Sequence, residues 1–175
     1  MDHLNCNFVK MKAPLFYSKI LLFGEYGIIK NSKGLSIPYN FYKGGLKIGD
    51  INSIFVKRSN QSLCLFRDFL KQIDPLIVVF DFKKMNKDLL EGMYFDSTIP
   101  QGYGVGSSGA LVAAFYDRYA ENKYTILENL TRDKLLKLKN IFSNMESYFH
   151  GKSSGLDPLN SYLSLPILIH SKNEI

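Results

Sequence analysis

Tryptophan is absent from the 175 residues, cysteine occurs twice and histidine three times. Each scarcity closes off a class of function. Cys6 and Cys64 are too few for a disulfide framework and have no metal-ligand spacing. His3, His150 and His170 stand apart from one another, so no zinc site is legible. Long apolar runs are missing too. Ile20 to Phe23 and Leu76 to Phe80 fall far short of the ~20 residues a membrane-spanning helix needs. Met1 to Lys12 lacks the apolar stretch of a secretory signal. A cytoplasmic protein with no membrane association is the expectation. No internal repeat or low-complexity linker divides the chain, so residues 1–175 read as one domain, large enough to bury a core.

What the chain does contain is ordinary for a globular protein: 46% hydrophobic and 22% charged residues. Thirteen Phe and eleven Tyr imply an aromatic-rich core. The net charge is +6, from 22 Lys+Arg against 16 Asp+Glu. A basic excess attracts anions. The lysines are nevertheless scattered, with short clusters at Lys83, Lys84 and Lys87 and at Lys134, Lys137 and Lys139. Most should lie on solvated faces. They are not interleaved with aromatics along one strand or helix, so nucleic-acid binding is not expected.

Lys19 to Phe23 reads as a short buried strand ending at Gly24. Gly34 to Tyr42 and Ile54 to Val56 read as further strands, with Gly44, Gly45 and Gly49 marking a turn-rich connection. Leu63, Phe66 and Leu70 have helical spacing, which predicts an amphipathic helix over Ser62 to Gln72. Gly92 to Thr98 alternates as a strand does and is closed by Pro100. Leu111 to Ala120 favours helix. From Arg132 to Phe149, Leu135, Leu138, Phe142, Met145 and Phe149 recur every three or four residues, a stripe that faces a core, and Gly151 ends the helix. Ser161 to Ile169 is strand-like. The sum is an α+β domain.

The most informative segment is Pro100-Gln-Gly-Tyr-Gly-Val-Gly-Ser-Ser-Gly-Ala110. Gly102, Gly104 and Gly106 leave the backbone without Cβ atoms just before a helix starts. Successive N–H groups can then converge on an anion, aided by the helix dipole. Ser107 and Ser108 add hydroxyls that can cap the helix or reach a metal-bound phosphate. The P-loop pattern of nucleotide hydrolases fails here: Gly151-Lys-Ser153 resembles its tail, but position 146 is Glu where Gly is required. Gly104 to Gly109 does match the dinucleotide fingerprint, with the acidic Glu128 about 20 residues on. Pro100, however, separates the loop from its strand, and the motif sits deep in the chain. A plain turn with a serine-capped helix also remains open.

The same segment resembles the second motif of the GHMP kinases, the family of galactose, homoserine, mevalonate and phosphomevalonate kinases. Val105 stands for the usual Leu and Gly109 for the common Ala. Lys19-Ile-Leu-Leu-Phe-Gly-Glu-Tyr26 resembles the opening signature of that family, with Ser18 where Gly is usual. Tyr26 stands where mevalonate kinases have His and is more like phosphomevalonate kinases. Glu146-Ser-Tyr-Phe-His-Gly-Lys-Ser-Ser-Gly-Leu-Asp157 resembles a mevalonate kinase segment in which only a Pro departs, replaced by Ser153. The three motifs keep family order from Lys19 to Asp157.

The resemblance implies a GHMP-kinase amino-terminal domain, a ribosomal-protein-like βαβ two-layer fold with a mixed sheet packed by helices. It implies ATP and Mg²⁺ as cofactors and a small-molecule alcohol, mevalonate first and phosphomevalonate second, as acceptor. The loop residues Gly102, Gly104, Val105, Gly106, Ser107, Ser108 and Gly109 would hold the ATP phosphates, and Ser108 and Glu146 would hold Mg²⁺. Asp157 would accept or orient the acceptor hydroxyl, with Lys19 paired to it and stabilising the transferring phosphoryl group. Lys19, Glu25, Tyr26, His150 and Asp157 would face the acceptor. GHMP kinases generally carry a second, carboxy-terminal domain with another glycine-rich motif that this chain lacks. The expectation is therefore the amino-terminal portion of a kinase, with a non-catalytic nucleotide-binding module as the alternative for this chain taken alone and a homodimer left open.

Overall fold

The computed structural model describes residues 14–24, 33–125 and 130–169. Nine elements follow in order: β1 (Phe16–Phe23), β2 (Gly34–Ile48), α1 (Ile54–Leu70), α2 (Phe82–Leu90), β3 (Met93–Ser97), α3 (Ser107–Tyr119), α4 (Arg132–His150), α5 (Leu156–Leu163) and β4 (Ile167–Ile169). The α+β class is as the sequence implies. β2 is the long central strand. It pairs with β1 along one edge, and with β3 and β4 near its two ends. All three of these pairings are antiparallel.

β2 runs straight through Gly44 and Gly45, where a turn was expected. Gly44 pairs with both Phe16 and Ser97, and a Cβ on it would come within 2.4 Å of the Phe95 ring. The glycine therefore serves the strand by letting an aromatic ring lie across it. Ile54 to Val56, expected as a strand, is instead the first turn of α1. Val56, Asn60, Leu63, Phe66 and Leu70 form one buried helical stripe, which the intervening polar run Lys57 to Ser62 disguises. Buried Asn60 donates to the carbonyls of Leu89 (3.0 Å) and Met93 (2.8 Å), fixing α1 to the α2–β3 corner.

α2 contains the first lysine cluster and was not anticipated. Asp81 caps it by accepting from the Lys84 N–H at 2.8 Å, while Met85 and Leu89 point inward. Ser161 to Ile169 divides between the end of α5 and β4, broken at Ser164, whose φ is 51°. The apolar run is too short for its period to tell helix from strand. α3 is the hub. Ala110, Val112, Ala113, Ala114, Phe115, Tyr116 and Tyr119 are all buried on it, and it contacts β1, β2, α2, α4 and α5. Phe66 stacks edge-on against Phe115 (4.9 Å), and Phe142 against Tyr116 (5.0 Å), within a single core cluster. α4 buries Leu138, Phe142 and Met145 in that core, and Gly151 ends it with φ of 69°.

Candidate functional site

The glycine loop, the start of α3, the end of α4, the start of α5 and the middle of β1 meet around one open cleft of about 730 Å³. Lys19, Gly102, Gly104, Val105, Gly106, Ser107, Ser108, His150 and Asp157 line it, together with Leu21, Phe95 and Phe149. The loop is anchored at its foot, where the Lys19 N–H donates to the Val105 carbonyl at 3.0 Å. Gly102, Gly104 and Gly106 have φ of 82°, 68° and 82°, a left-handed backbone that side chains resist by roughly 1–2 kcal/mol per residue. At Gly102 and Gly104 an added Cβ would meet nothing within 4 Å, so these glycines serve conformation and leave the loop open. Gly106 begins α3 with no side-chain cap. The first N–H groups of a helix have no partner within it, and Ser107 and Ser108, which carry the first of them here, line the cleft.

Gly109 is placed differently from the other loop residues. It is buried inside α3, and a Cβ there would lie 2.8 Å from the Asp157 carbonyl carbon and 2.9 Å from the Pro158 nitrogen. Its absent side chain lets α5 seat against α3 and so sets the position of Asp157. Asp157 sits in the first turn of α5, where Pro158 is tolerated because early helical N–H groups need no intrahelical partner. Lys19 Nζ lies 3.1 Å from Asp157 Oδ1, with the lysine side chain 12% and the aspartate 35% exposed.

Glu146 lies behind Ser108, 3% exposed. Its Oε1 accepts from Ser108 Oγ at 3.1 Å, and its Oε2 accepts from Ser153 Oγ. Burial pushes the Glu146 carboxyl above the usual carboxylate range and the charge of Asp157 adds to this. Hydrogen bonds from Ser153 and Ser108 and the charge of His150 pull the other way. His150 Nε2 is 3.2 Å from the Ser108 oxygen. Since Ser108 gives its one proton to Glu146, the imidazole is the donor in that contact. Glu25 and Tyr26 lie outside the described residues.

Hard oxygens from one carboxylate and one hydroxyl suit Mg²⁺, which is usually held by one or two carboxylates plus substrate phosphates. Among the described residues no group of three or more His, Cys, Asp or Glu could hold a metal unaided. Ser108 and Glu146 have the donor chemistry that suits the ion, with Ser108 on the cleft wall and Glu146 behind it, and the open glycine loop beside them has the backbone donors that suit phosphates. Ser153, Phe95 and Leu21 carried no sequence signal for this site beyond the departure at position 153. None of the Lys83, Lys84, Lys87 or Lys134, Lys137, Lys139 side chains lines the cleft.

A model of the family described as GHMP kinases N terminal domain matches residues 74–164, just over half of the chain. The chain belongs to the GHMP kinase family. The matched span of this GHMP kinase domain holds the glycine loop, Glu146 and Asp157, and Lys19 precedes it. Among solved structures the domain is similar to L. major mevalonate kinase in complex with R-mevalonate. The identity is 20% and the TM-score 0.49, over 90% of this chain and 48% of that one. The chain thus spans about half the length of that protein. No curated protein matches it. Among the described residues of the GHMP kinase domain, no helix is long and apolar enough to cross a membrane.

Proposed function

We propose that this chain is the nucleotide-gripping part of a kinase that transfers the γ-phosphoryl group of ATP to a small-molecule hydroxyl, with mevalonate as the first-choice acceptor. The observation that carries the reading is the Lys19–Asp157 pair, 3.1 Å apart on the wall of the cleft that the glycine loop also lines. Phosphoryl transfer needs the phosphates held still, their charge neutralised and the acceptor oxygen aimed. Backbone N–H groups of the loop and of the first turn of α3 hold the phosphates. Ser108 and Glu146 are the residues that would hold Mg²⁺, which when bound would neutralise charge on the phosphates. Lys19 carries the cation that faces the transferring group. Asp157 orients the acceptor hydroxyl and takes up its proton. Lys19 keeps the Asp157 carboxylate pointed at that hydroxyl, and His150, which lines the same cleft, contacts Ser108 on the metal side.

Mevalonate is preferred because residues 146–157 carry the motif that resembles mevalonate kinases. Phosphomevalonate is the second acceptor, and its extra phosphate would need added Lys or Arg contacts. The test measures two quantities on the chain: binding of ATP with Mg²⁺, and transfer of γ-³²P from ATP to mevalonate or to phosphomevalonate. Label on mevalonate supports the full reading. Label on phosphomevalonate alone moves the acceptor. Nucleotide binding without transfer assigns the chain a non-catalytic, nucleotide-binding role, and absence of both binding and transfer overturns the proposal.

A further inference from the structure

Ser153 occupies a position at which the resembling mevalonate kinase segment has proline, a residue with no hydroxyl. Here the hydroxyl both accepts and donates. The Gly155 N–H donates to Ser153 Oγ at 3.0 Å. A backbone N–H can only donate, so the serine oxygen must accept from it and its own proton is free to be given elsewhere. That proton goes to Glu146 Oε2. The serine backbone is fixed in turn, because Ser143 Oγ on α4 donates to the Ser153 carbonyl at 2.6 Å. Each oxygen of the buried Glu146 carboxylate is therefore held by a different serine: Oε2 by Ser153 on the α4–α5 loop and Oε1 by Ser108 on α3. Of Ser108, Glu146 and Ser153, only Ser108 lines the cleft; Glu146 lies behind it, so Oε1, bonded to Ser108, is the oxygen nearer the ligand side and Oε2 is tied down on the far side.

We infer that Ser153 is a positioning residue that locks the Glu146 carboxylate so that Oε1, beside Ser108 Oγ, is presented to the divalent cation accompanying the nucleotide. The inference rests on the nucleotide-binding reading above. A carboxylate with one oxygen anchored cannot swing about its terminal torsion, and the residues that orient a ligand set how well the ion is held. Ser153 does not line the cleft itself, so its contribution reaches the ligand through Glu146 and belongs to the metal-dependent part of the affinity.

The experiment measures the dissociation constant of a fluorescent ATP analogue with saturating Mg²⁺ and again in EDTA, for the wild-type chain and for Ser153→Ala. The quantity compared is the factor by which magnesium tightens nucleotide binding. Ser153→Ala should reduce that factor about tenfold, the scale on which loss of an orienting partner weakens metal sites, and leave the EDTA value unchanged. Ser153→Thr, which keeps the hydroxyl, should restore the factor. Should Ser153→Ala lose its helical circular dichroism, Ser153→Cys supplies the same comparison with a near-isosteric, weak donor. A magnesium factor equal to wild type in the folded variant overturns the role of Ser153 while leaving the nucleotide reading intact. Equal loss with and without magnesium overturns it too, by showing damage to the loop as a whole. A wild-type chain that binds no nucleotide under either condition overturns both.

Discussion

Asp157 and Glu146 are both carboxylates within the same small region, and their surroundings give them opposite tasks. Asp157 is part-exposed, paired with Lys19 at 3.1 Å and open to the cleft. Replacing it with Asn keeps the shape and removes the proton acceptor. Asp157→Asn should cut phosphoryl transfer by about 10²–10⁴ with ATP affinity unchanged, measured by single-turnover transfer beside equilibrium binding. Full transfer in that variant removes Asp157 from the mechanism. Glu146 is buried and its carboxyl is raised above the ordinary range, chiefly by desolvation. The folded, magnesium-free chain therefore holds that proton more tightly than the unfolded chain does. Its contribution to stability is fully present below the ordinary carboxyl range and is lost as pH rises through the raised folded value. Glu146→Gln should remove this downward slope and melt at or above the wild-type temperature at neutral pH. Melting curves from the ordinary carboxyl range upward in EDTA check it; an identical slope in the variant contradicts the assignment.

Among the elements, α3 and α5 decide how closely the loop and Asp157 approach. Gly109 lies where the two helices meet, with no room for a methyl group against the Asp157 and Pro158 backbone. Gly109→Ala should cost about 1–3 kcal/mol through overpacking and push the start of α5 away. Transfer would then fall further than nucleotide affinity, since the loop itself is untouched. Denaturant unfolding beside binding and transfer separates the two effects, and wild-type transfer in a destabilised variant would place Asp157 outside the reaction. Several of these relations were legible in the sequence and others were not. The three segments around Lys19, residues 100–110 and residues 146–157 stand out because each combines special backbone chemistry with charged or hydroxyl side chains, and the fold brings all three to one cleft. The close contact at Gly109 did not show, because a glycine beside a glycine-rich loop looks like one more loop residue. Ser153 registered only as a departure from a pattern, since its partners lie on α4 and in its own loop. The run through Gly44 was misjudged because the ring that requires a glycine there, Phe95, lies on a neighbouring strand far along the chain. α2 and the first turn of α1 were hidden by polar residues that their buried stripes skip over.

Across the whole molecule, one core cluster ties the sheet to all five helices, and the cleft lies where segments more than a hundred residues apart converge. Lys19 on β1 and Asp157 on α5 meet because α5 packs directly against β1, where Ser161 Oγ donates to the Tyr17 carbonyl at 2.6 Å, and because α3 packs against both elements. The site is therefore a property of the assembled fold, and a ligand bound there should be sensed by residues from every one of those segments together. Other hollows exist. One of about 380 Å³ is lined by Pro75, Leu76, Tyr116, Tyr124 and Lys137, on residues that the cleft does not share. The most direct test of where nucleotide binds is paramagnetic broadening of backbone amide signals in the ¹⁵N-labelled chain on adding substoichiometric Mn²⁺·ATP. The account predicts selective loss of signals from residues 102–109, from 146–150 and from 153–157, along with Lys19. Broadening centred on residues 75–79, 121–124 and 137–141 instead, with the glycine loop unaffected, would contradict it.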